Sequence, residues 1–332
     1  MLDALLGGAL AQIQVSDGAP FTDTDLGNME NYFSYSVMQW DSVSHVLTLG
    51  VGVFAAALIY FLVTMKDVAP KFRLSNALSA VVMVSAMLIL LRQAFDWDMT
   101  FAWSDASGMY ERKDGQLFSN GYRYMNWSID VPCLLLQMLV VLPLAKAKKI
   151  SYGAQFVVAG LGMIWTSWAA QFYETGGVVA ETSSVPFWVW YLLGWAFYIW
   201  IVAIVFKTIT EGSKGVPDEA AKWLKRILVL FLIAWTGYAV AIVLPQVWFA
   251  SGSGVARAFI FTFADITSKA IYGVMLGNVA IILSRQEGFE SYPVERAFIG
   301  NGVKRMFGGG DAGGSGAAAH DQAAVRDASE QH

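Results

Sequence analysis

Seven stretches of mostly apolar residues, each about long enough to cross a bilayer, constrain this chain more than any other feature: 43–64, 74–95, 121–145, 151–171, 184–208, 220–247 and 254–285. A helix of roughly 20 residues rises about 30 Å, the depth of the hydrocarbon core, and in lipid a backbone must satisfy its own hydrogen bonds. The reading is an all-α membrane protein, a seven-transmembrane-helix bundle. Composition agrees, since 56% of the 332 residues are hydrophobic and only 14% are charged, far from a soluble domain's balance.

Lysine and arginine collect in cytoplasmic loops, and their distribution sets the orientation. The first connection carries Lys66, Lys71 and Arg73, the third Lys146, Lys148 and Lys149, and the fifth Lys207, Lys214, Lys222, Lys225 and Arg226. The second holds Asp96, Asp98, Asp105, Glu111 and Asp114, and the fourth Glu174 and Glu181. This parity puts the N-terminus outside and the C-terminus inside a multi-pass protein of the cell's inner (plasma) membrane. Residues 1–20 read as a signal peptide or a disordered N-terminus, 21–42 as an extracellular cap, and 43–285 as the seven-helix domain. Residues 286–307 follow as a cytoplasmic juxtamembrane segment, and 308–332 as a disordered tail whose His320 and His332 are solvated rather than metal ligands. A net charge of -4 without a basic aromatic patch points away from nucleic acid. The single cysteine, Cys133, leaves no intramolecular disulfide. With no HExxH, CxxC or phosphate-binding glycine loop, the chain does not read as an enzyme.

Ionisable residues in the membrane carry the functional information, because each costs at least ~2.5 kcal/mol at mid-bilayer. The seventh stretch places Asp265 and Lys269 one helical turn apart. Either they form a buried ion pair that holds helices in register, or Lys269 carries a cofactor: a desolvated amine has a lowered pKa, condenses with an aldehyde, and then needs a nearby carboxylate. In the third stretch Arg123, Asn126, Asp130 and Gln137 project within roughly 60° of one another. They form a polar stripe, read as a transport path or as polar glue between helices. Pro132 frees the carbonyl of Ser128 beside Asp130 and predicts a kink.

These runs, from about Glu30 to Arg285, resemble the microbial (type 1) rhodopsins, and within them the light-driven sodium-pump subfamily. The segment Asp265-Ile266-Thr267-Ser268-Lys269-Ala270-Ile271-Tyr272-Gly273 is similar to the family's retinal-lysine signature. Asn126, Asp130 and Gln137 match the subfamily's Asn-Asp-Gln triplet in type and spacing. The resemblance implies retinal bound covalently at Lys269 as a protonated Schiff base, packed by Trp127, Trp235 and Tyr238. It further implies Asp130 as counterion and transient proton acceptor with Ser85 orienting it, and transient sodium binding by Asn126 and Asp265. Sodium uptake would pass Asn76, Ser79 and Gly277, and release would pass Arg123 toward Gln93, Asn120, Glu174 and Arg257. Chemistry agrees with the triplet, because amides at 126 and 137 cannot relay protons near neutral pH.

The resemblance also implies proton pumping when sodium is absent, and a homo-oligomeric ring, a pentamer, with His45 at a subunit interface. Two positions depart from the family pattern: Ala239 stands where many members have proline, and Gln116 stands where the pumps have an Asp at an inter-subunit sodium site. Three alternatives stay open on the residues alone: an outward proton pump of the same fold, a photosensory rhodopsin, and a receptor or carrier without retinal in which Lys269 pairs structurally.

Overall fold

The structure, a computed structural model, describes residues 28–179 and 182–289. The readings for residues 1–20 and 308–332, and nearly all of 286–307, lie outside the described residues. Seven long helices follow one another: α1 (Val37–Thr64), α2 (Arg73–Thr100), α3 (Gly121–Val141), α4 (Lys146–Gln171), α5 (Val185–Gly212), α6 (Asp218–Val247) and α7 (Ser251–Gln286). Six of them are long and apolar enough to cross a membrane; α4 is the one outside that set. Gln155, Thr166, Ser167 and Gln171 dilute its hydropathy, while it packs along α3 and α5 as a member of the bundle. Ile59, Leu192 and Ile233 stand 64%, 62% and 69% exposed, the outward apolar surface of a multi-pass membrane protein.

The helix ends differ from the apolar runs for local reasons. α1 starts six residues before its run because Ser36 and Gln39 form a capping box: the Gln39 amide donates to Ser36 Oγ at 3.3 Å and the Ser36 amide to Gln39 Oε1 at 3.0 Å. α2 continues past 95 to Thr100, and α4 begins at Lys146 rather than 151, since helices persist into the headgroup layer where charge costs little. α3 stops at Val141, short of the expected 145, because Pro143 forces Leu142 into an extended conformation (ψ 138°). It runs through Pro132 without interruption.

The second connection holds a hairpin that the apolar pattern does not reveal, β1 (Phe101–Ser104) paired antiparallel with β2 (Met109–Arg112). Gly108, at φ +67°, closes its turn in a conformation that a side chain would strain. The Tyr110 ring stacks on Trp40 at 4.4 Å, and its backbone exchanges hydrogen bonds of 2.9 and 2.8 Å with Tyr35. The 3-10 turn Met29–Tyr32 thereby lies buried at the hairpin end of the bundle, while 37–42, also assigned to the expected cap of 21–42, form the first turns of α1. The connections after α1, α3 and α5 define the opposite, lysine-rich end.

Candidate functional site

The ionisable residues converge because α3 and α7 turn their polar faces inward. Arg123, Asn126, Asp130 and Gln137 on α3 are all buried, as are Asp265 and Lys269 on α7. Lys269 sits in a π-helical stretch, Ile266–Ile271, a widened turn of the kind that collects at functional positions. Four residues later, a Cβ on Gly273 would lie 2.6 Å from the Phe61 ring and 3.1 Å from Ser79 Oγ. Only glycine lets α7 approach α1 and α2 this closely.

Asp265 is the hub. Its Oδ1 accepts from Trp127 Nε1 at 3.1 Å and from the Tyr238 hydroxyl at 2.7 Å, and it pairs with Lys269 Nζ. Its Oδ2 faces Arg123 Nη1 at 3.3 Å. Lys269 Nζ also lies 3.7 Å from Asp130 Oδ2. The amine is thus nearer Asp265 than Asp130, as expected for carboxylate and amine four residues apart on one helix. Two cations and two carboxylates balance, the condition for holding charge away from water. The carboxylates differ in one respect: every oxygen of Asp265 is engaged, whereas neither oxygen of Asp130 has a hydrogen-bond partner.

Around this core, Asn126 Nδ2 donates to Ser85 Oγ, while Asn126 Oδ1 is buried without a partner. Toward the lysine-rich end, Ser79 donates to Gln137 Oε1 at 2.9 Å and Gln137 Nε2 is left unpartnered. Asn76 is buried on α2, and a Cβ on Gly277 would meet no atom within 4 Å, so α7 borders open space there. Beside Lys269 runs a narrow, partly open pocket with largely apolar walls, to which Trp127, Trp235 and Tyr238 contribute. Its aromatic walls and terminal amine suit a long apolar aldehyde.

At the hairpin end three of the four expected release residues, Asn120, Glu174 and Arg257, are joined through one more, Glu30. Arg257 Nε donates to Glu30 Oε1 at 2.7 Å, and its two terminal nitrogens pair with Glu30 Oε2 and Glu174 Oε1. Asn120 Nδ2 donates to Glu30 Oε1 at 3.0 Å. Gln93 joins Arg123 instead, accepting from its Nε at 3.2 Å. The sequence places Glu30 only in the cap; a carboxylate inside the apolar, aromatic run Met29–Tyr35 is the one signal of its role. Glu174, in the connection after α4, has its carboxyl pushed up to about 7 by burial, with Arg257 opposing the shift and Glu30 adding to it. His45, on α1, is exposed on the outside of the bundle, and Gln116 lies in the exposed connection before α3.

A family model described as bacteriorhodopsin-like protein matches residues 41–283. Among solved structures, xanthorhodopsin, a light-driven ion pump with a dual chromophore, is 27% identical with a TM-score of 0.69, covering 77% of this chain and 99% of that one. Opsin-1 of Neurospora crassa is 26% identical over 164 residues, 46% of this chain and 47% of that protein. A halorhodopsin of Halorubrum sodomense is 22% identical over 160 residues, 46% of this chain and 50% of that protein. The chain thus matches about half the length of each of these two relatives.

Proposed function

This chain belongs to the bacteriorhodopsin-like family, and we propose that within it the protein is a light-driven outward sodium pump whose retinal is carried on Lys269. One observation carries the reading: the α3 stripe has a single carboxylate, Asp130, buried 3.7 Å from Lys269 Nζ and without a hydrogen bond, and amides at Asn126 and Gln137 on either side. Amides at these two places leave α3 with no second carboxylate to relay the proton of Asp130, and they offer oxygens to a hard cation.

Retinal supplies light absorption and a change of shape at the lysine nitrogen. The chain's own groups supply the rest. Trp127, Trp235 and Tyr238 confine the cofactor. A proton held at Lys269 Nζ makes a positive barrier in a low-dielectric path, which excludes sodium. Asp130 Oδ2 takes that proton, and its empty hydrogen-bonding positions leave it free to do so. With the charge gone, sodium arrives from the lysine-rich, cytoplasmic end past Asn76, Ser79, Gly277 and Gln137, and rests briefly on Asn126 Oδ1 and Asp265. Return of the proton to Nζ prevents backflow, and Arg123 passes the ion toward Gln93, Asn120, Glu30, Glu174 and Arg257. In the absence of sodium the same cycle moves protons. A ring of copies, a pentamer, with His45 turned toward a neighbour completes the reading.

Light-induced pH change in retinal-supplied cells tests it. Outward sodium transport gives alkalinisation in NaCl that a protonophore enhances and KCl abolishes. Acidification in both salts, abolished by protonophore, makes the protein a proton pump. Asp130→Asn removes the acceptor, and sodium transport is expected to fall to background; sodium transport at the original rate contradicts the scheme.

A further inference from the structure

Neighbouring helices in this bundle are not equally close, and α5 shows the contrast within one element. Toward α4 it packs on glycine: a Cβ on Gly162 would lie 2.6 Å from the Phe197 ring, and one on Gly194 would lie 3.1 Å from Ser167 Oγ. Toward α6 it is the most loosely packed of all consecutive helix pairs. Two long side chains bridge the gap there: the Tyr191 hydroxyl donates to the Ala239 carbonyl at 3.1 Å, and the Tyr198 hydroxyl shares a 2.9 Å hydrogen bond with Thr236 Oγ1.

The bridges sit seven residues apart on α5, about 10 Å at 1.5 Å per residue, but only three residues apart on α6. Between them the rim is Trp195 on α5, and on α6 the run Thr236, Gly237, Tyr238 and Ala239 is partly exposed at every position. Four successive helical residues sweep roughly 300°, so a lipid-facing stripe alone does not explain that exposure; at Tyr238 and Ala239 part of it is toward the cavity beside Lys269. Tyr191, Trp195, Tyr198, Tyr238 and Ala239 also line the cavity that ends at Lys269.

We infer that the α5–α6 seam is a lateral passage from the lipid to the Lys269 cavity, latched by the hydroxyls of Tyr191 and Tyr198, through which the apolar aldehyde reaches the amine. The inference rests on the reading of Lys269 as the retinal-bearing residue. A long polyene aldehyde dissolves in the hydrocarbon core, and the seam opens at that depth. Opening breaks two side-chain hydrogen bonds and no backbone ladder. Ala239 leaves the rim small, with one methyl group where a larger side chain would fill the gap.

The test uses retinal-free full-length protein in lipid nanodiscs and two probes delivered from vesicles. All-trans-retinal is followed by visible absorbance, and all-trans-retinol, which cannot condense with an amine, by energy transfer from tryptophan. Tyr191→Phe and Tyr198→Phe are each expected to speed arrival of both probes roughly fivefold, the factor one net hydrogen bond supplies. Ala239→Phe is expected to slow both by tenfold or more. Unchanged retinol rates in all three variants overturn the passage, even where retinal rates change through the condensation step. If wild-type protein binds retinol but forms no pigment with retinal, the reading of Lys269 fails while the seam is still measured.

Discussion

The two halves of the bundle, on either side of Lys269, are built to different rules. On the hairpin side, charged groups are locked: Arg123 joins Gln93 and Asp265, and Arg257 joins Glu30 and Glu174, with Asn120 supporting Glu30. On the lysine-rich side, polar groups are sparse and under-used: Gln137 Nε2 lacks a partner and Gly277 faces empty space. In the proposed pump an ion enters through a half with room and few locked charges, and leaves through a half where buried pairs must first separate. The contrast suits a pump that loads easily and guards its exit.

The largest effect should come from breaking the locked half. Arg257→Gln leaves Glu30 and Glu174 buried beside each other with no cation, and loss of one partner of a buried ion pair costs about 3–5 kcal/mol. The variant's melting temperature in detergent should fall sharply, and Glu30→Gln with Glu174→Gln in the same chain should restore most of it. Melting at the wild-type temperature in the single variant shows that this half is not held by its charges.

The open half should respond in the opposite way, with function lost and stability kept. The position of Gly277 has room for a Cβ, so Gly277→Leu is expected to keep the fold and to cost far less stability than Arg257→Gln. The same leucine places hydrocarbon in the ion's way, and light-driven sodium transport should drop to roughly a tenth, as at a hydrophobic constriction. Normal transport by a correctly folded variant removes Gly277 from the path.

These two halves are also unequally legible in the sequence. Periodicity and the cost of intramembrane charge suffice to single out Arg123, Asp130, Asp265 and Lys269, because an ionised group in an apolar helix is too costly to be incidental. The roles of Asn76, Ser79 and Gly277 rest on resemblance alone, since a serine or glycine in a membrane helix is common. Three features escape a sequence reading for physical reasons. The capping box at Ser36 is a two-residue signal that an apolar scan ignores. The π turn around Lys269 has no composition of its own, being a consequence of how α7 settles against its neighbours. Glu30 lies 227 residues from Arg257 in the chain, and nothing local announces such a partner.

The subtlest expected effect lies in the locked half and is a matter of pH. Glu174 shares Arg257 with Glu30, and its burial raises the carboxyl from an ordinary 4.5 to about 7 despite the guanidinium beside it. In the unfolded chain Glu174 releases its proton near the ordinary value, so between pH 4.5 and 7 the folded protein binds more protons than the unfolded one. Its contribution to stability is therefore fully present below pH 4.5 and is lost as pH rises toward 7. Wild-type melting temperature should decline across that window, and Glu174→Gln, which cannot ionise, should flatten the decline while Arg257 keeps its pair with Glu30. Parallel profiles for the two proteins mean that Glu174 is already ionised in the folded state at pH 4.5, held so by Arg257. The hairpin half would then carry a second permanent negative charge against one arginine, and an emerging cation would meet a stronger attraction there.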